Sequence, residues 1–219
     1  MIEFLAIFQK DLRSECRTRY ALNGLLLFAL ATMAALSFAS GGIGLTPMWA
    51  AVFVWIITMF SALSSLAHAF VKESETKTET FLKLTASADA VFFGKWAFNM
   101  VLVIGLQVIL SLLSPLLLGL TVDDWIVWSV TMALGGVGLV SIVTLLGAVV
   151  AAANVRGALF SVLALPLLLP LLIVAIRATE FALGGDPGSS VGDSLMVLGA
   201  YAVVTTTAGW LLFPFVWRG

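Results

Sequence analysis

Hydrophobic residues in this chain do not alternate with polar ones, nor do they recur only at helical spacing; they run on. Six stretches hold no Lys, Arg, Asp or Glu: 22–39, 50–69, 97–120, 126–153, 158–176 and 194–217. Each is close to the roughly 20 residues needed to cross the hydrocarbon core of a bilayer. One charge at the centre of such a helix costs about 2.5–3.5 kcal/mol on insertion scales, so the absence of charge from all six marks them as spans. A membrane β-barrel would show shorter segments of alternating polarity. These runs are continuous and rich in Leu, Ala and Val, and they predict helices. The expected fold is an all-α integral membrane protein with six transmembrane helices in a single domain over 1–219.

Composition agrees and removes alternatives. The chain is 61% hydrophobic and 11% charged, with a mean hydropathy of +1.12. A soluble domain carries about 25% charged residues, so a soluble enzyme is excluded. One cysteine, Cys16, excludes a disulfide scaffold. A formal net charge of −1 leaves no basic field to attract nucleic acid. The first residues mix Glu3, Asp11 and Glu15 with Lys10, Arg13, Arg17 and Arg19, unlike a cleavable leader, so the first span is expected to be an uncleaved anchor.

Charge also orients the spans. Ten of the 11 Lys and Arg residues fall in alternate segments: the N-terminal one, the loop after the second span (Lys72, Lys77, Lys83, Lys95), the turn after the fourth (Arg156) and the C-terminal one (Arg218). Only Arg177 falls on the other side, together with Asp123, Asp124, Glu180, Asp186 and Asp193. Positive loops stay cytoplasmic, so both termini are expected there.

Several segments carry further signals. In 2–20, Ile2, Leu5, Phe8 and Leu12 form one stripe and Lys10, Arg13 and Arg17 another, which predicts an amphipathic helix at the membrane surface, or else a cap that only sets topology. The loop 70–96, FVKESETKTETFLKLTASADAVFFGKW, contains Phe81, Leu82 and Leu84 among Thr78, Glu79, Thr80 and Lys83. A solvated linker has no use for that cluster. A short helix docking on a soluble partner does, because a few apolar anchors carry most of an interface's energy; a return of Phe81 and Leu82 into the bilayer is the alternative. Ser87 or Asp89 is the expected N-cap of the helix entering the third span.

Gly135, Gly136 and Gly138, with the four-residue pairs Gly147–Ala151 and Thr144–Ala148, predict close helix packing. Pro166 and Pro170 predict a fixed bend in the fifth span, with neighbours satisfying the freed carbonyls. Ala178–Leu183 reads as a short interfacial helix closed by Gly184 and Gly185. Trp49, Trp125, Trp128, Trp210 and Trp217 lie near span ends, as in an interfacial aromatic belt.

No glycine-rich phosphate loop of the Walker type is present, and one His with one Cys cannot make a usual metal site. His68, at a span end, reads as an interfacial histidine rather than an axial haem ligand. With no Lys, Arg, Asp or Glu inside the spans and only His68 near an end, an ion-driven carrier is not expected, and the driving force must come from another protein.

A basic surface helix, six spans with both ends inside and a charged first cytoplasmic loop with a docking cluster resemble the type-2 ABC exporter permeases. In that family the loop carries an acidic residue, a threonine and a Leu-rich helix that couple to the ATPase. Glu73, Thr78, Glu79, Phe81, Leu82 and Leu84 are the candidate coupling residues here, followed by Gly94–Lys95. More narrowly, the chain is similar to the CcmB-type permease subunit of the cytochrome c maturation haem exporter. The likeness rests on its length of 219 residues, FVKESETKTETFLKL with SADAVFFGK, Asn154–Val155–Arg156–Gly157 after the Gly-rich fourth span, ALPLLLPLLI in the fifth, and the acidic far-side loop. Where many relatives have Gly–Thr and Ser–Pro, this chain has Lys77–Thr78 and Ser87–Ala88.

The resemblance implies a multi-pass protein of the bacterial inner membrane that is not itself an enzyme and holds no cofactor of its own. Haem would be the substrate, and ATP would be bound by a partner. It implies a cytoplasmic ABC ATPase dimer, a haem-handling membrane subunit and a haem chaperone as partners, with two copies of this chain or a mixed set of membrane subunits sitting on the ATPase dimer. A permease exporting lipid, drug or polysaccharide, and a non-transporting subunit that only transmits force to release haem from the chaperone, remain the other readings of the same architecture.

Overall fold

The computed structural model describes residues 2–41, 44–65, 79–152 and 158–218. Among these, eight helices follow one another: α1 (Ile2–Thr18), α2 (Tyr20–Ala39), α3 (Pro47–Ser65), α4 (Glu79–Thr85), α5 (Ala88–Leu118), α6 (Trp125–Ala152), α7 (Ala158–Ala182) and α8 (Val191–Arg218). Six of them, α2, α3 and α5–α8, are long and apolar enough to cross a membrane.

The most enclosed of the six is α6, which packs against α5, α7 and α8, while α2 and α8 are the most exposed. Its glycines are what permit that central place. A Cβ on Gly135 would lie 2.0 Å from the indole of Trp55, and one on Gly138 would lie 2.3 Å from a methyl of Leu171. Lipid offers no hydrophobic drive toward helix association, so close approach and van der Waals contact must supply it. The glycine cluster therefore packs helices, as expected. Trp55, wholly buried on α3, is fixed by its Nε1–H donating to Thr179 Oγ1 of α7 at 2.8 Å.

Three helix limits differ from the sequence expectation. Helix α5 begins nine residues before the uncharged run at 97, because Ser87 caps it: the Ser87 hydroxyl accepts from Ala90 N–H at 3.4 Å, with Asp89 in the first turn. Lys95 thus lies inside the helix rather than in a loop. The separate interfacial helix at Ala178–Leu183 does not exist; α7 continues to Ala182 because nothing interrupts its backbone ladder between Arg177 and Gly184, whose φ is +79°. Asp123 and Asp124 N–H both donate to Ala182 O, and the Asp124 carboxylate accepts from Ile126 and Val127 N–H, so one acidic turn closes α7 and opens α6. Third, α1 and α2 are separated only by Arg19, held in the left-handed region at φ 52°.

Pro166 and Pro170 lie within α7. Tyr201 of α8 donates its hydroxyl to Leu167 O beside them, which is not one of the carbonyls the prolines free, those of residues 162 and 166. The aromatic belt is smaller than expected. Trp49, Trp125 and Trp210 are exposed, whereas Trp128 and Trp217 are buried at 2% and 5% exposure. Trp128 is turned inward by a bond from its Nε1–H to Ser111 Oγ at 2.9 Å. Trp217 belongs to an aromatic knot at the other end of the bundle.

Candidate functional site

That knot is where the candidate coupling helix is seated. Phe92 of α5 meets Phe213 of α8 at 5.4 Å between ring centroids, and Phe213 stacks on Trp217 at 5.6 Å with 17° between planes. Gly209 lets α8 approach, since a Cβ there would lie 3.1 Å from the Phe92 ring. Helix α4 rests on this surface through Leu82, which is 9% exposed and clusters with Ile7, Phe92, Phe213 and Trp217. Beside it, the Lys83 ammonium lies 5.4 Å from the centroid of the Trp217 ring. Leu84 points the other way and is 83% exposed. Glu79 and Phe81 belong to the same seven-residue helix, while Glu73, Thr78 and His68 lie outside the described residues. Of the apolar pair Leu82 and Leu84, then, one is an anchor into the protein and the other faces outward.

Two polar contacts tie α1 to the start of α5. At one end the Glu3 carboxylate accepts from both the backbone N–H and the hydroxyl of Ser87, each at 3.0 Å. The bond from the Ser87 backbone, then that from its hydroxyl, holds the Glu3 carboxyl below its ordinary pKa. Further along, Lys95 Nζ lies 3.3 Å from Asp11 Oδ2, with the lysine side chain 0% exposed and the aspartate 10%. Lys10 approaches the other Asp11 oxygen, also at 3.3 Å, from solvent. Between the two contacts Ile7 fits against Gly94, where a Cβ would lie 2.8 Å from the Ile7 Cγ2. The face of α1 turned to α5 is therefore Phe4, Ile7, Phe8 and Asp11, while Leu5, expected on the apolar stripe, is 47% exposed.

Below the knot, polar side chains join α5, α6 and α8 inside the bundle. Asn99 Nδ2 donates to Thr144 Oγ1 at 2.9 Å, Trp96 Nε1 donates to Ser141 Oγ at 2.9 Å, and Ser141 meets Thr206 at 2.8 Å. Such bonds contribute only about 0.6 kcal/mol each on average in a membrane, so they set helix rotation more than stability. Among the described residues no three His, Cys, Asp or Glu side chains converge as a metal site would require.

Sequence reasoning missed Lys95, Asp11 and Trp217 as parts of this site. The available signal was that Phe4, Ile7 and Asp11 share one helical stripe, which places a carboxylate on the packing face and calls for a cation opposite.

Six helices long and apolar enough to cross a membrane, packed around a glycine-lined central one with a short helix seated on one end, describe a multi-pass membrane protein. The chain matches the CcmB protein family over residues 2–216, and it belongs to that family. CcmB proteins are haem-exporter permease subunits that serve cytochrome c biogenesis. A search of curated proteins returns no match.

Proposed function

We propose that this chain is the membrane subunit that receives mechanical work from a separate cytoplasmic ABC ATPase and passes it to haem handling on the far side of the bacterial inner membrane. The observation that carries this reading is the two-faced helix α4, with Leu82 anchored in the protein and Leu84 presented at 83% exposure. An exposed leucine on a helix that also carries Glu79 and Phe81 and is packed against the ends of α5 and α8 has the form of a docking element, and Glu73 and Thr78 precede it in the chain. Displacement of α4 reaches α5 and α8 through Phe92, Phe213 and Trp217 and reaches α1 through Glu3. The excess of Lys and Arg on the α4 side favours a cytoplasmic location for α4 and both termini. In this reading α1 lies on the cytoplasmic side, packed alongside the first turns of α5. ATP binds the partner ATPase dimer, haem is cargo rather than a resident group, and a haem-handling membrane subunit and a haem chaperone complete the assembly.

The test is co-purification from the native host in mild detergent. Leu84→Asp should insert and fold normally yet lose the ATPase, whereas Leu82→Asp should fail at folding, since it places a charge in the aromatic knot. Retention of the ATPase by Leu84→Asp at the wild-type ratio would reject α4 as the docking element. An ATPase recovered without any haem-binding membrane subunit would favour an exporter of other cargo.

A further inference from the structure

A groove of about 530 Å³ runs between α1, the first turns of α2 and the middle of α5. Its volume falls in the range of small-molecule sites, roughly 300–1,000 Å³. The deep walls are apolar: Leu22, Leu25 and Leu26 on one side, Val101, Leu106 and Ile109 on the other. Gly105 lies between them, and a Cβ added there would meet nothing within 4 Å, so the groove stays open where a larger side chain would close it.

The mouth is different in kind. It carries Glu15, Cys16, Arg19 and Asn23. The Glu15 carboxylate is engaged with the backbone N–H of Leu22 at 2.8 Å, which turns the one acid of the mouth onto the first turn of α2. Arg19 is exposed, as are Arg13 and Arg17 on the neighbouring turns of α1. Arg19 is also the residue immediately before the first helix long and apolar enough to cross a membrane, a place from which an arginine can reach lipid phosphates while its stem and the apolar walls face hydrocarbon. A cation at the rim and a hydrocarbon slot beneath it match the two halves of one ligand.

We propose that this groove is a binding site for a single anionic phospholipid, its phosphate at Arg19 and one acyl chain lying over Gly105. The site uses none of the residues assigned to ATPase docking and stands or falls separately from that assignment.

The full chain, reconstituted in nanodiscs of equal parts phosphatidylglycerol and phosphatidylcholine and released for native mass spectrometry, tests it. Wild type should retain one phosphatidylglycerol in preference to phosphatidylcholine. Gly105→Leu, which fills the slot, should lose the retained lipid of either kind. Arg19→Gly keeps the left-handed backbone and removes the cation; it should lower the preference for phosphatidylglycerol about five-fold, the value of one arginine beside an anionic headgroup. The glycine variant keeps the test decisive if Gly105→Leu does not insert. Equal retention of both lipids by wild type, an unchanged preference in Arg19→Gly, or undiminished retention in a folded Gly105→Leu overturns the proposal, as does a protein found in the groove by cross-linking from Cys16.

Discussion

The Asp11–Lys95 pair allows the attachment of α1 to be measured. At 3.3 Å and an effective dielectric constant of 20, the gross attraction of two unit charges is about 5 kcal/mol. The lysine side chain is 0% exposed, so removing its partner leaves a cation away from water; breaking such a pair destabilises by roughly 3–5 kcal/mol. Lys95 has interactions besides Asp11, which sets the expectation for Asp11→Leu at the lower end, about 3 kcal/mol. Lys95→Met should cost less. It leaves Asp11 near the surface with Lys10 still 3.3 Å away, and a half-exposed pair of that kind contributes about 0–1 kcal/mol. The double variant Asp11→Leu with Lys95→Met removes both charges and should return to within about 1 kcal/mol of wild type, because two apolar side chains can replace a buried ion pair at little cost. Equilibrium unfolding of the four proteins in mixed micelles, followed by tryptophan fluorescence, gives the cycle. A loss below about 1 kcal/mol for Asp11→Leu, or a double variant as unstable as that single one, would refute the argument: Lys95 would then be reaching water, and the pair would not be what holds α1.

Two more expectations come from the same packing. Gly135→Val drives a side chain into the Trp55 ring and should break the Trp55–Thr179 bond; overpacking of about 1–3 kcal/mol plus about 1 kcal/mol for the bond should lower the melting temperature in detergent, while Gly105→Ala, with open space around it, should not. The Glu3–Ser87 contact has a defined pH dependence: because Glu3 is held below its ordinary pKa, the contact is fully present above the unfolded value near about 4.3 and is lost as pH falls through the lower folded value. Protection of the Ser87 amide in hydrogen exchange, corrected for intrinsic rate, should therefore be flat from neutral pH to about 5 and fall below about 4; a fall between pH 7 and 5 would contradict it.

The spans could be read from the chain because lipid imposes one requirement, an uncharged apolar run of a given length, that local sequence displays in full. Their rotations could not. Whether a tryptophan near a span end joins an interfacial belt or an interior depends on what faces it: Trp128 turns inward to Ser111, and Trp217 is covered by Phe213 of its own helix and by Leu82 of α4, which is remote in sequence. The same holds at α4, where Leu82 and Leu84 are two residues apart and chemically identical, and only the presence of the α8 end decides which is the anchor. Lys95 was hidden for a further reason. A lysine ahead of an apolar run normally marks the membrane boundary, and its incorporation into α5 depends on an aspartate 84 residues away.

The single-residue joint at Arg19 sets the mechanics of α1. At 1.5 Å of rise per residue, Asp11 lies about 12 Å and Glu3 about 24 Å along the helix from that joint. Helix α1 is thus held at three points: the joint at Arg19, Asp11 on Lys95, and Glu3 on Ser87. The two outer holds both fall on the first turns of α5, so tilting α1 away from α5 must break both of them.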